Sequence, residues 1–407
     1  MNKIFVGLAV ALFTLLDINY TKAQNLSAPD LSKELGQLAT ILMDTAAEVT
    51  ISKRILIIKS PEDALTLSRF NKDGQIHTLA VLEDDGAAVT GIDLSLALSN
   101  YSDKSFDVIS NMDYNEVVTL IRGSSKKISV RYADLLPCVA GNTHLAIGIN
   151  YAEHGKETGQ VKPFMFPKFV ETDPAIHQLQ YEQGWFLDHE VELGIVFPSP
   201  VCSSGDLNNS MIGFMVVNDF TDRATLMRKM DSKNVTGGKG FPDAKSKKGF
   251  LPTGPYMVVP KDWRSFVREL QLQLMVNGQV RQHGNARDMV WDIDEIIKRS
   301  LSVKGEEDSY YQGKKVKLFE GNCIPAGSIV ITGTPSGVVF NAPPGRFIFS
   351  RVMKYIFLGG FFNTKMHPYI LQQYLKKEMN NPCYLKPGDD VESSITYLGT
   401  IKTTVKE

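Results

Sequence analysis

Two glutamates, Glu190 and Glu192, lie one residue apart in an apolar segment of the chain, residues 188–197. The Val, Leu and Ile residues of this segment predict a β-strand, in which every second side chain points to the same face. Two carboxylates on one face of a buried strand repel each other and are costly to remove from water. A divalent cation with oxygen ligands would offset that cost, whereas the alternative, a solvated strand edge, would need no ion.

A third acid follows a second apolar segment. Residues 211–217 are apolar and rich in β-branched side chains, which predicts another buried strand, and Asp219 comes two residues later. Because an acid at a strand end can reach a site shared with a neighbouring strand, Glu190, Glu192 and Asp219 are candidate metal ligands. An all-oxygen site suits Mg²⁺ or Mn²⁺, and also Ca²⁺, better than Zn²⁺, which prefers His and Cys. Taken alone, Asp219 would instead be a turn or helix-cap residue.

A histidine and a glutamate three residues apart, His154 and Glu157, are candidates for a general base. In a helical turn they are neighbours, and a carboxylate beside an imidazole fixes its tautomer and raises its basicity. The alternative is a surface pair without a catalytic role. Lys245 follows a stretch rich in Gly and Pro that predicts a loop, where it could stabilise an oxyanion or simply be a solvated lysine.

Taken in order, the segments that carry these residues resemble motifs of the fumarylacetoacetate hydrolase family. The resemblance runs from about residue 147 to 340 and resumes near residue 384. The segments that carry it are Gly148–His154, His189–Gly194, Asn218–Arg223, Lys245–Ser246, Pro252–Pro255, Val276–Gln282, Gly333–Val338 and Leu385–Glu392.

The resemblance implies an α+β, β-rich fold: a mixed-sheet β-roll of the family's C-terminal type with a small N-terminal α+β domain. It also implies that the three acids bind the metal, that the His154–Glu157 pair on a short lid helix activates water, and that Lys245 assists. The resemblance further implies that the chain forms a homodimer. The residues expected to contact the substrate are Asn150, Tyr151, Arg223, Gly333 and Thr334.

The expected function is metal-dependent hydrolysis of a C–C bond in a 2,4-dioxo acid of the acylpyruvate or fumarylpyruvate type, with His154 deprotonating the water that attacks the distal carbonyl. The alternatives are oxaloacetate decarboxylation, hydration or isomerisation of a 2-oxo acid, and a non-catalytic protein that binds an oxo acid. The resemblance departs at Ala224 and Leu226, where the family commonly has an acid and a glutamine near the substrate. The identity of the substrate therefore does not transfer.

The composition indicates a globular protein without a strongly charged partner. The chain has 407 residues, 43% of them hydrophobic, and a net charge of -1, so we expect no binding to nucleic acid. A basic start, a short apolar stretch and small residues near Ala23 predict a signal peptide over residues 1–23 and export, to a bacterial periplasm. A small N-terminal domain, residues 24–139, and a catalytic domain, residues 140–407, are expected to follow.

Three secondary-structure elements are expected in the small N-terminal domain. Apolar periodicity predicts a helix over about residues 26–49, a hairpin over residues 78–93 that turns at Asp84–Gly86, and a helix over residues 113–123. We assign all three a role in the hydrophobic core.

Residues 345–382 interrupt the family pattern as an insertion. Its first part, residues 345–362, interleaves aromatic and basic side chains, so contact with a membrane surface is one alternative. We favour packing, as a subunit contact or as a cover over the active site, because exposed apolar patches usually meet a partner. The four cysteines lack metal-binding spacing, and their wide separation fits buried free thiols at least as well as disulfides.

Overall fold

Twenty β-strands and ten α-helices are found among the residues that the computed structural model describes, 57–160, 162–208, 211–231, 234–341, 343–357 and 365–407. The strands are β1 (Ala64–Lys72), β2 (Gln75–Asp84), β3 (Ala88–Asp93), β4 (Ile128–Arg131), β5 (Leu135–Leu136), β6 (His144–Gly148), β7 (Phe164–Lys168), β8 (Ile176–Gln180), β9 (Leu187–Asp188), β10 (Val191–Val196), β11 (Gly213–Asn218), β12 (Thr221–Asp222), β13 (Met257–Pro260), β14 (Gln271–Val276), β15 (Gln279–Asn285), β16 (Ser309–Tyr311), β17 (Lys314–Val316), β18 (Val330–Ile331), β19 (Asp390–Ile395) and β20 (Gly399–Lys406). The helices are α1 (Leu94–Leu98), α2 (Ser105–Val108), α3 (Tyr114–Gly123), α4 (Ala152–Thr158), α5 (Arg223–Lys229), α6 (Phe241–Lys245), α7 (Trp263–Glu269), α8 (Ile293–Ser302), α9 (Gly345–Phe357) and α10 (Met366–Glu378).

Two large sheets contain most of these strands. The larger sheet has the order β4-β3-β2-β1-β13-β11-β10-β18-β6-β7, with β5 paired to β1. Its described neighbours run antiparallel, apart from the parallel pair of β18 and β6. The smaller sheet has the order β15-β14-β19-β20-β8, in which β20 and β8 run parallel. Both sheets are therefore mixed, and the β-rich α+β fold that the sequence predicts is confirmed.

Alternating side chains of the central strands face two separate hydrophobic cores. In β11, Phe214 and Val216 belong to one core, whereas Met215 and Val217 belong to the other. The first core also contains residues of the smaller sheet, such as Leu272 of β14. A strand that is apolar on both faces is buried on both, and this is why the segment shows no polar alternation.

The N-terminal elements within the described range agree with the sequence predictions. Strands β2 and β3 form the predicted hairpin, with the turn at Asp84–Gly86 between them. Helix α3 begins after Asp113, whose side chain accepts the N–H of Glu116, while the Glu116 carboxylate accepts the N–H of Asp113. Strands β1 to β4 share the larger sheet with β6 and β7, so the sheet crosses the predicted domain boundary near residue 139. The boundary itself stays a prediction.

Two local predictions require correction. The strand expected over residues 188–197 is interrupted, because the N–H of Glu190 donates to the side chain of Asn218 (3.0 Å) instead of joining a strand ladder. Strand β9 therefore ends at Asp188, and β10 begins at Val191. Lys245, expected in a loop, is the last residue of the short helix α6, which has a proline in its first turn.

The segment predicted to be an insertion, residues 345–382, contains helices α9 and α10, which contact each other. Tyr374 of α10 is buried in a third, smaller core together with Ala224 and Met227 of α5. Among the described residues, no helix is both long and apolar enough to cross a membrane.

Cys202 and Cys323 form a disulfide bond, while Cys138 is a buried free thiol and Cys383 an exposed one. The sequence left open disulfides or buried free thiols, and the structure contains one disulfide and one buried free thiol. The signal peptide predicted over residues 1–23 and the helix predicted over residues 26–49 lie outside the described residues.

Candidate active site

Three buried carboxylates converge at the ends of β10 and β11. Glu192 pairs in register with Val217, and Glu190 and Asp219 each lie one residue beyond the last pair of this ladder. The N–H of Asp219 donates to the carbonyl oxygen of Glu190 (2.9 Å), which keeps these two residues side by side. One oxygen atom from each carboxylate lies within 4.8 Å of the other two. The structure thus brings together the three candidate metal ligands.

Two lysines neutralise this group of acids from different sides. The Nζ of Lys245 donates to the carboxylates of Glu190 and Asp219, at 2.8 Å from Asp219 Oδ2. The Nζ of Lys168, at the end of β7, donates to the other oxygen of Asp219 and to the carbonyl oxygen of Phe250 (2.7 Å). Lys168 is absent from the predicted site, because no motif or periodicity marks a lysine at a strand end as buried.

Arg223 begins helix α5 and contacts two acids. Its Nε donates to Asp188 Oδ2 (2.8 Å), and a terminal nitrogen donates to Glu190. Asp188 also accepts the N–H groups of Val339 (3.0 Å) and Phe340 (3.1 Å), and so holds a later segment of the chain against the site. Arg223 lines the cavity, as expected of a substrate contact, but its guanidinium is already paired with carboxylates.

The protonation behaviour of the two glutamates differs because their neighbours differ. Although burial acts to raise it, Lys245 and Arg223 lower the pKa of Glu190 to about 2. Burial, reinforced by Asp219 and Glu190, raises the pKa of Glu192 well above its ordinary value. The charge of Glu192 is therefore not compensated by the protein alone, and a cation between the three carboxylates would stabilise it.

The charges of the whole cluster also fit a divalent cation. Four carboxylates face three cationic side chains, which leaves one uncompensated negative charge when all of them are ionised. These side chains are Asp188, Glu190, Glu192, Asp219, Lys168, Arg223 and Lys245. A divalent ion would reverse the sign of this charge and attract an anionic substrate. Three carboxylates without His or Cys suit Mg²⁺, Mn²⁺ or Ca²⁺ rather than Zn²⁺.

The His154–Glu157 pair lies on helix α4. The Nδ1 of His154 is 3.4 Å from a carboxylate oxygen of Glu157, and His154 lines the same cavity as the three acids. The Glu157 carboxylate also accepts the N–H of Gly337, at 3.0 and 3.2 Å from its two oxygens. The backbone of Gly337 therefore fixes the Glu157 carboxylate, which contacts the imidazole of His154 at Nδ1.

The loop after β18 is attached to the strand that carries Glu192. The N–H of Gly333 donates to the Glu192 carboxylate, and the hydroxyl of Thr334 donates to the carbonyl oxygen of Val191 (2.9 Å). Gln282 joins the two segments, because it donates to Thr334 Oγ1 (2.8 Å) and accepts the N–H of Val191 (3.0 Å). Thr334 lines the cavity, as expected of a substrate contact. Gly333, also predicted to contact the substrate, does not line it, and its N–H binds the Glu192 carboxylate instead.

Asn150 and Tyr151, two of the predicted substrate residues, do not line this cavity. The Asn150 amide donates to the carbonyl oxygens of Thr332 (2.8 Å) and Trp291 (3.0 Å) and accepts the N–H of Trp291 (2.7 Å). It therefore joins segments of backbone. The Tyr151 hydroxyl is buried without a hydrogen-bond partner among the described residues, and burial raises its pKa.

The acids open into a cavity of about 380 Å³, a size typical of small-molecule sites. The cavity is lined by the three acids, His154, Lys245 and Arg223, and also by apolar side chains. The apolar part of the lining comes from several elements and includes Phe166, Leu226, Met227, Phe241, Ile348 and Leu371.

Comparison with known protein families gives a match over much of the chain. The family model described as fumarylacetoacetate (FAA) hydrolase, C-terminal, matches residues 143–406. An uncharacterised protein of Staphylococcus aureus (strain USA300) is 28% identical over 294 residues, which cover 69% of this chain and 74% of that protein.

Three solved structures illustrate the similarity of fold, each covering 84% of this chain and 99% of its own. A fumarylacetoacetate hydrolase from psychrophilic Exiguobacterium antarcticum has a TM-score of 0.52 at 22% identity. A 5-carboxymethyl-2-hydroxymuconate delta-isomerase from Mycobacterium smegmatis has a TM-score of 0.50 at 18% identity. A maleylpyruvate hydrolase from Sphingobium sp. SYK-6 has a TM-score of 0.50 at 19% identity. At these identities the similarity shows the fold alone.

Proposed function

Because the chain belongs to the fumarylacetoacetate hydrolase family, we propose that it is a divalent-metal-dependent enzyme that acts on 2-oxo acids. Within this class, the reaction we propose is hydrolysis of a C–C bond in a 2,4-dioxo acid. The observation that supports it best is the convergence of Glu190, Glu192 and Asp219 in the cavity that His154 also lines.

The residues of the cavity divide the chemistry between them. Glu190, Glu192 and Asp219 would hold the cation, which would polarise the keto group of the substrate and favour the negative charge formed there. His154 takes a proton from water, and Glu157 stabilises the imidazolium that results. Lys245 keeps Glu190 ionised and places an ammonium group near the developing oxyanion.

The His154–Glu157 pair favours hydrolysis over decarboxylation, because loss of CO₂ needs no attacking water. Isomerisation is the second candidate, since the solved structures of similar fold include one named as an isomerase. In an isomerase, the same imidazole would move a proton between carbon atoms of the substrate.

A direct assay distinguishes these reactions. The purified full chain is incubated with acetylpyruvate, oxaloacetate or 5-carboxymethyl-2-hydroxymuconate, after EDTA treatment and after addition of Mg²⁺ or Mn²⁺. We expect acetylpyruvate and water to give acetate and pyruvate only when the metal is present. Faster decarboxylation of oxaloacetate, or isomerisation without hydrolysis, would favour the rival reaction. Equal turnover in EDTA would contradict a metal enzyme.

Two substitutions separate the proposed base from the proposed ligands. His154→Asn should lower kcat by roughly 10²–10⁴, the usual contribution of a general base, while Mn²⁺ binding measured by calorimetry is retained. Glu190→Gln should lose both, because it removes a charged ligand from the cluster. His283→Asn, at an exposed histidine outside the cavity, is the matched control. Full activity of the His154 variant would refute its role.

Assembly and location stay predictions. We propose a homodimer and export to an oxidising compartment, and the Cys202–Cys323 disulfide supports the latter, because cytosolic proteins rarely keep disulfides. Light scattering of the purified protein tests the first and cell fractionation tests the second. Contact of residues 345–362 with a membrane stays the less favoured alternative, and co-sedimentation with liposomes tests it.

A further inference from the structure

The insertion contributes an apolar surface to the cavity that contains the acids. Ile348 of α9 and Ile370 and Leu371 of α10 line this cavity together with the metal-ligand candidates. We call these three residues the apolar roof. Because the roof belongs to the insertion, it is absent from the part of the chain that carries the family motifs.

Helix α10 is held in this position by contacts with the body of the protein. Tyr374 is 3% exposed and packs in one small core with Ala224 and Met227 of α5. Its hydroxyl donates to the carbonyl oxygen of Asn341 (2.7 Å). The roof is therefore fixed to the same helix that begins with Arg223.

The two positions at which the sequence departs from the family pattern both belong to this apolar environment. Ala224 is fully buried in the small core beneath α10, where an acidic side chain would lose its water without a partner. Leu226 is 1% exposed and lines the cavity itself. Helix α5 is therefore apolar both in the core that contains Tyr374 of α10, at Ala224, and in the lining of the cavity, at Leu226.

The lysine and arginine side chains that line the cavity already form ion pairs with the buried acids. Among the described lining residues, the lysine and arginine side chains are Lys245 and Arg223, and each is paired with two carboxylates. His367 of α10 also lines the cavity, but it is exposed and has an interaction of its own. A carboxylate at the far end of a substrate would therefore lose water against apolar side chains without a cation to pair with.

We propose that the substrate carries an uncharged, apolar acyl group, alkyl or aryl, and that the apolar roof selects it against substrates that end in a carboxylate. The inference rests on the proposed function, because the acids must place the oxo-acid end of the substrate. The acyl group then lies against the roof and Leu226.

The first test measures kcat/KM of the full chain with acetylpyruvate, butanoylpyruvate, hexanoylpyruvate and adipoylpyruvate, which matches the third in length but ends in a carboxylate. We expect kcat/KM to rise about fourfold per buried methylene group and to fall roughly a hundredfold for the carboxylate-ended compound. A second readout uses N-alkyl oxamates, which carry the oxo-acid head and an alkyl tail but are not cleaved. Their Kd in the presence of Mg²⁺ should fall with tail length.

The roof is tested by placing a cation in it. Ile370→Lys should lower kcat/KM for hexanoylpyruvate at least tenfold and raise it for adipoylpyruvate, because the ammonium can pair with the distal carboxylate. Ile348→Lys, on the other helix, is a second variant in case the first does not fold. Gln372→Lys makes a similar addition of charge at an exposed position of α10 outside the cavity and should leave both values unchanged.

The outcomes separate the two proposals. Preference for adipoylpyruvate in the wild type, or an unchanged ratio in folded lysine variants, would overturn the role of the roof. Turnover without any dependence on acyl length overturns the role of the roof but leaves the proposed hydrolysis intact. No turnover of any compound, together with length-dependent oxamate binding, would overturn the hydrolysis and support the apolar roof.

Discussion

At the scale of single residues, the candidate site depends on buried charges that hold one another in place. Lys168 and Lys245 both contact Asp219, and Lys245 and Arg223 both contact Glu190. Breaking one member of such a group is costly, because the partner is left charged without water. Together with burial, Lys168, a member of this group, also lowers the pKa of His144, a histidine that takes no part in the proposed chemistry.

His144 should make the protein less stable in mild acid. Burial and the nearby Lys168 lower its pKa to about 4. Its Nε2 lies 3.1 Å from the carbonyl oxygen of Val170, and its Nδ1 accepts the N–H of Ile329 (3.1 Å), an acceptor that protonation would remove. Because the folded pKa lies below the unfolded value, the neutral ring stabilises the fold above pH ~6.5, and this stabilisation is lost as the pH falls towards 4.

The measurement is the free energy of unfolding at pH 8 and pH 5 for the wild type and His144→Gln, whose amide can replace both hydrogen bonds without titrating. We expect the wild type to lose about 2 kcal/mol more than the variant between these two values. The same loss in both proteins would show that His144 does not titrate in this range.

The sequence identified the acids more readily than their partners. Alternation along an apolar segment predicts Glu190 and Glu192 on one face, and the end of the next predicted strand predicts Asp219 beside them. The three carboxylates do converge, although Glu190 lies just outside β10. Lys168 escapes such reasoning, because its burial depends on contacts with residues far along the chain. Motif spacing also assigned Asn150 to the substrate, although the structure uses its amide to join backbone segments.

At the scale of elements, local signals predicted helices and hairpins where the cause is itself local. Helix α3 follows from the capping box of Asp113 and Glu116. The strand is interrupted before β10 because the N–H of Glu190 donates to the side chain of Asn218, which belongs to β11. The periodicity of residues 188–197 cannot predict this contact, because it depends on a residue of another strand. Helices α9 and α10 lie in the predicted insertion, where no family motif marks them, and the sequence did not predict them.

Gly337, in the loop after β18, should fix the position of Glu157 and so influence the proposed base, His154. Gly337 has φ +106°, and a Cβ at this position would lie 1.9 Å from the carbonyl oxygen of Arg281. Gly337→Ala must therefore shift the N–H that donates to Glu157. We expect a fall of kcat of about tenfold or more and a displaced pH profile of kcat/KM, with Mn²⁺ binding unchanged.

Gly321→Ala is the control for this prediction. Gly321 also has a positive φ, +78°, but its Cβ would meet nothing within 4 Å. This variant should lose only the roughly 1–2 kcal/mol of stability that a left-handed conformation costs, with no change in the pH profile. Identical profiles for both variants would refute a positioning role for Gly337.

At the scale of the whole molecule, the disulfide joins segments that are distant in the sequence. Cys202 and Cys323 are separated by 121 residues, and the adjacent residues Val201 and Ile324 exchange backbone hydrogen bonds of 2.9 and 3.0 Å. Sequence spacing did not reveal this pair, because four cysteines allow several arrangements and the pairing depends on the tertiary fold.

Replacing both cysteines by serine should lower the free energy of unfolding by about 2–5 kcal/mol, because a long loop is no longer closed in the unfolded chain. Cys383→Ser, at an exposed free thiol, should change it by less than about 0.5 kcal/mol. Chemical denaturation with and without a reductant provides the measurement. Equal stability of the double variant and the wild type would show that the bond contributes nothing.

The pairing of β1 with β13 has a practical consequence for expression of the protein. The family match begins at residue 143, yet β13 lies between β1 and β11 in the sheet. A shortened protein that begins at residue 143 would lack β1. The backbone N–H and C=O groups of β13 (Met257–Pro260) that pair with β1 would then be unpaired at an apolar sheet edge. An unpaired apolar edge strand pairs with strands of other molecules, so we expect the shortened protein to aggregate into inclusion bodies.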